Sequence, residues 1–243
     1  MDGLQSGQPL DLSLSAYAGP GAPFANPRPA LLGGRVHRLE DVETLILTKS
    51  VAGLQPGWVE PTREVVRDAA AGRMGRIKFL AFDFAHVGEG EAMAGEGSRG
   101  LVGEVANLIL KAPIVSIAYV REHVSGADLE LALACSMLVC EEGARFSFAA
   151  DPVDAVATYA LLAQKIGFVR AERLMEREEV LNATQMRDLY LLKETTEAGS
   201  GLEGLERFLR RTVRKHNSAY GIYRAQRIAT PLIPEAFGDA SLT

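Results

Sequence analysis

Two periods of apolar and polar positions run through this chain. Residues 36–39 and 43–47 alternate as a strand pair does. Residues 48–56 read as a loop. In 61–71, Val65, Val66 and Ala69 fall on one stripe and predict a helix. Residues 77–84 and 114–120 are apolar runs of the kind that forms strands buried on both faces. Between them, 86–97 reads as a Gly/Glu loop and 101–110 as a short helix ended before Pro113. Residues 127–134 read as helix, and 137–140 and 145–148 as short strands. After Asp151-Pro152 the pattern predicts helices at 154–166, 169–177 and 183–189, then one bent helix or a helix pair over 204–225. Strands alternating with helices predict an α/β fold.

Residues 1–34 break this pattern. They hold eleven Gly or Pro and three charged residues, Asp2, Asp11 and Arg28. A segment so poor in apolar periodicity buries too little surface to offset its chain entropy, so a flexible leader is expected. The chain then divides into a leader (1–34), a core (35–201) and a helical C-terminal segment (202–243). With 243 residues and 47% hydrophobic content, the core needs no staples. The net charge of −5 argues against a general nucleic-acid binder. The longest apolar stretch, 131–140, is half of the ~20 residues that span a bilayer, so no membrane segment is expected. The N-terminus carries no secretory pattern, and two cysteines make no disulfide framework; both fit a cytoplasmic setting.

Several motifs fail on inspection. Gly95-Glu96-Gly97-Ser98-Arg99-Gly100 spells GxGxxG, but ten residues separate it from Phe84, where a dinucleotide fold needs the strand to run straight into the turn. Ser98 lacks the glycine two places before it that a nucleophile elbow requires. His37, His86, His123 and His216 make no zinc spacing, and no metal site is expected. Cys135 and Cys140 read as buried structural thiols. Arg207, Arg210, Arg211 and Arg214 share one helical stripe, which is either a solvated face or an anion site for a ligand's phosphates or an acidic partner.

The stretch that carries chemistry is 114–135. A buried strand feeds a loop ending in Ser125-Gly126-Ala127, which opens a helix with Asp128 and Glu130 near its start. Free amides at a helix N-terminus favour negative charge, so they can hold an oxyanion on a thioester carbonyl while a carboxylate one turn in handles a proton. The plainer reading is that Glu130 only complements the helix dipole. Here the sequence resembles the crotonase (enoyl-CoA hydratase/isomerase) superfamily, as a degenerate member. Gly126, Ala127 and Asp128 fall on that family's glycine triplet, and Glu130-Leu131-Ala132-Leu133-Ala134-Cys135 on its "E-L-A-x-x-C". Glu142-Gly143-Ala144-Arg145-Phe146 resembles its "E-x-A-x-F". Ser116-Ile117-Ala118 and the stretches 213–217 and 223–225 look like the diffusible-signal-factor synthase branch, whose members hydrate and hydrolyse acyl thioesters on acyl carrier protein.

The resemblance implies a crotonase-like α/β spiral of ββα units with a shortened helical C-terminus. It implies an oxyanion hole from the amides of Ala127 and Glu96, the latter by the nearest match to the family's mobile loop, 93–97. It makes Glu130 the general base or acid. The second catalytic carboxylate falls on Ala150, so Asp151, or Asp154, would stand in, and 153–158 replaces the glycine-rich loop. No cofactor is implied; the substrate is an acyl-CoA or acyl-carrier-protein thioester, and the assembly a homo-oligomer, a trimer in the family. Two readings remain open: an acyl-thioester hydratase, isomerase or hydrolase using Glu130, or a non-catalytic crotonase-fold binding or scaffold protein.

Overall fold

The structure, a computed structural model, describes residues 34–51, 56–75, 77–85, 96–112, 114–148, 155–177 and 179–214. The expected leader falls outside them except for Gly34, and so does everything beyond Arg214. The strand pair is present as β1 (Gly34–Leu39) and β2 (Thr44–Lys49), antiparallel and joined by a 3-10 turn. Next come α1 (Pro56–Ala70), β3 (Phe79–Phe84), α2 (Glu96–Lys111), β4 (Val115–Val120), β5 (His123–Ser125) and α3 (Gly126–Ala134). They are followed by β6 (Met137–Glu141), β7 (Arg145–Ser147), α4 (Ala155–Ile166), α5 (Phe168–Glu176), β8 (Val180–Asn182), α6 (Ala183–Asp188), β9 (Glu194–Thr196) and α7 (Gly201–Arg214).

Six strands form the main sheet in the order β1-β2-β3-β4-β6-β9, with every pair after the first parallel. A small second sheet orders β5-β7-β8. All six residues of β3 and of β4 are buried, because apolar layers cover both faces of the main sheet. On one face Leu45, Leu47, Phe82, Phe84, Ala118 and Val120 meet α1, α2 and α3. On the other, Ile46, Phe79, Ala81, Ile117 and Val139 meet Leu205, Phe208 and Leu209 of α7.

Three helices start well before their patterns indicate. Helix α1 opens at Pro56, a proline at a first helical position, and carries Pro61 within it. Helix α2 opens at Glu96, five residues before its apolar stripe begins, so Gly97 and Gly100 lie inside a helix rather than in a phosphate-binding turn. The last helix begins at Gly201 rather than 204.

Helix α7 is seated on a polar cluster at the sheet's edge. The Glu141 carboxylate accepts from the amides of Gly199 (2.6 Å) and Gly201 (2.8 Å), and from the Tyr119 hydroxyl (3.3 Å). Tyr119 also pairs with Thr196 (2.8 Å) and Ser200 (3.3 Å). Burial holds the Tyr119 phenol above its usual pKa, an effect that these two hydroxyl contacts oppose. Gly204 is the close-approach position here: an added Cβ would collide with the Ser200 side chain and lie 2.9 Å from the Tyr119 hydroxyl oxygen. Gly204→Ala should therefore cost about 1–3 kcal/mol by overpacking, against the ~1 kcal/mol that alanine ordinarily gains in a helix. Urea unfolding would measure it, and a more stable variant would show that the cluster yields.

Candidate active site

The site forms at the carboxyl edge of the parallel strands, where open α/β sheets place their ligands. Chain direction fixes this. Helix α2 returns to the amino edge, where β4 begins four residues after Lys111; α3 does the same, three residues before β6. The N-termini of both helices therefore lie toward the carboxyl edge, and the two helices pack against each other. Glu96 is the first residue of α2 and Ala127 the second of α3. The structure thus brings the two expected amide donors into the first turns of neighbouring helices.

Gly126 makes the entry to α3. Its φ of +50° lies in the left-handed region that side chains with a Cβ resist. Ser125 precedes it in extended conformation, and its side chain makes no capping hydrogen bond. The first amides of α3 are therefore not claimed by the usual cap. Glu130 is 7% exposed within a helix whose residues from Asp128 to Ala134 are all buried. It lies three residues after Ala127 and so projects from the same side of the helix.

Asp128, two residues from Glu130, projects elsewhere. It meets Lys49 at the end of β2, with Nζ 3.1 Å from each carboxylate oxygen and side chains 2% and 3% exposed. The ammonium also donates to the Val51 carbonyl and stands 5.7 Å from the centroid of the Trp58 ring. Burial pushes the Lys49 pKa down, and the charge and hydrogen bond of Asp128 oppose that shift. Sequence reasoning missed Lys49. The signal was parity: 45, 47 and 49 share one face of β2, and that face lies under α1 and α3.

The described part of the arginine stripe sits on the other side of the sheet. Arg207 pairs with Glu197 (3.7 Å), Arg210 with Asp41 (3.0 Å) and Glu206 (3.1 Å), and Arg211 with Glu194. Their helix covers the opposite face of the sheet from α3, so the arginine stripe and Glu130 are not brought together. The side chain of Arg214 lies outside the described residues, as do those of Glu96 and the whole of Asp151 and Asp154. Burial pushes the Cys140 thiol up to about 12, which leaves it protonated and inert near neutrality. Among the described residues no group of three His, Cys, Asp or Glu is placed to hold a metal, and no helix is long and apolar enough to cross a membrane.

No family model matches the chain, and no curated protein matches it. Solved structures do. An enoyl-CoA hydratase from Mycobacterium avium subsp. paratuberculosis K-10 superposes with a TM-score of 0.70 at 18% identity, over 83% of this chain and 87% of that one. A monofunctional enoyl CoA isomerase from M. smegmatis gives 0.64 at 18% identity, over 86% and 96%. DspI of Pseudomonas aeruginosa gives 0.60 at 19% identity, over 86% and 88%. These likenesses establish that the chain has the crotonase fold.

Proposed function

We propose that this crotonase-fold protein is an enzyme of the hydratase, isomerase or hydrolase type acting on acyl thioesters. The observation that carries the reading is the arrangement on α3: an uncapped first turn at Ala127, and the buried carboxylate of Glu130 one turn along the same side. The thioester carbonyl oxygen would accept from the amides of Ala127 and Glu96, which favour the charge that develops on it. Glu130 would then move a proton to or from the carbon next to that carbonyl, or to or from the water that adds. Asp151 is the proposed second proton carrier. The carrier of the acyl group is coenzyme A or acyl carrier protein, and the assembly proposed is a homo-oligomer.

One observation favours the rival reading of a non-catalytic binding or scaffold protein. A charged pair, Lys49–Asp128, stands where the resembled family has a glycine. Turnover separates the two. Enoyl- and 3-hydroxyacyl thioesters, each on coenzyme A and on acyl carrier protein, are incubated with the protein. Loss or gain of the enoyl absorbance, or release of free thiol, is followed. Turnover of any of them above background supports the enzyme. Binding without turnover across the set supports the scaffold.

A further inference from the structure

The buried pair next to the anion-binding turn is the part of the molecule that the proposed chemistry does not use. Asp128 follows Ala127 directly, so its carboxylate is carried on the same first turn of α3 as the amide that would hold the carbonyl oxygen. Alone, a negative charge there would oppose the charge developing on that oxygen; between unit charges on one helical turn, repulsion in a partly dry site amounts to about tenfold or more in an equilibrium. Lys49 answers it. The ammonium contacts both carboxylate oxygens at 3.1 Å, and its contact with the Val51 carbonyl and its place by the Trp58 ring complete its surroundings. Asp128 and the Val51 carbonyl accept its hydrogen bonds, and its side chain is 2% exposed. Its link to the turn at Ala127 is Asp128, the next residue. Of the other buried charges among the described residues, Glu130 shares α3 with Asp128, while Asp83, held by Arg121 and Thr48, and Glu141, held by the start of α7, belong to the opposite face of the sheet.

The geometry points to Lys49 as an electrostatic positioning residue: it holds Asp128 and cancels its charge, so that the turn at Ala127 receives an anion. The pair does by charge balance what a residue without a side chain would do by default. This inference rests on the thioester reading above.

The test uses the whole protein and 3-oxobutyryl-CoA, whose enolate absorbs in the near ultraviolet where the ketone does not. On enolisation the bond from C2 to hydrogen breaks, the proton passes to Glu130, and the electron pair moves onto the carbonyl oxygen beside Ala127. The bound enolate-to-ketone ratio is read at one fixed pH for wild type, Lys49→Met, Lys49→Arg, Asp128→Asn and Lys49→Met/Asp128→Asn.

Lys49→Met should lower the ratio about tenfold or more. Asp128→Asn should raise it above wild type, Lys49→Arg should stay close to wild type, and the double variant should return toward it. If Lys49→Met does not fold, Asp128→Asn decides: a ratio above wild type, from an ammonium freed of its carboxylate, supports the inference, and one at or below wild type overturns it. A merely structural pair would lower the ratio alike in both single variants, and that result, or no change in any variant, overturns the inference while leaving the thioester reading in place. A wild type that binds no thioester overturns the thioester reading, and this inference with it.

Discussion

Glu130→Gln is expected to lower turnover of a competent thioester by about 10²–10⁴-fold, the range for loss of a positioned acid–base group. The substitution keeps the side chain's volume and polarity inside α3, a helix buried from Asp128 onward. Folding should therefore be little changed, and the loss should appear in kcat rather than in KM. The Ala127 side of the site is untouched, so the variant should bind substrate as the wild type does. Steady-state kinetics on both proteins, with a melting curve for each, is the measurement. Equal rates would remove Glu130 from the mechanism and move attention to Asp151.

Glu141→Ala should lower stability by about 2–4 kcal/mol. The carboxylate is 4% exposed and receives two backbone amides from the start of α7 and the Tyr119 hydroxyl. Hydrogen bonds to charged groups contribute ~1.5–3 kcal/mol each, and buried donors left unmade add their own cost. The truncation also removes a negative group from the N-terminus of α7, where the helix dipole favours it. Urea unfolding reads the total. Hydrogen exchange at Gly199 and Gly201 locates it, since those amides should open first. A variant as stable as wild type would mean that water replaces the carboxylate at no cost.

The strands that carry the site were legible because burial on both faces leaves an unmistakable apolar run. Residues 77–84 and 114–120 of the sequence contain β3 and β4 almost to the residue. Strands β5, β8 and β9 were not legible: each has three residues with no alternation beyond them, whereas β7, equally short, lies in the alternating run from Arg145 to Phe148. The starts of α1 and α2 were hidden by residues that usually break helices, Pro61 in one and Gly97 and Gly100 in the other. The start of α3 could be read from the strand–loop–helix order, which places Ala127 and Glu130 in its first turns. Lys49 could not. A lysine ending a strand reads as exposed, and its burial depends on a partner 79 positions later in the chain. The arginine stripe was visible as a stripe; its acidic partners Asp41, Glu194 and Glu197 come from distant segments that only the fold brings to it.

The main sheet divides the interior into two apolar clusters, one beneath α1 to α3 and one beneath α7. Substitutions on opposite sides share few neighbours, and changes without shared partners act nearly independently. The α7 side can therefore drift, gaining or losing grip, without rewriting the geometry around Ala127 and Glu130.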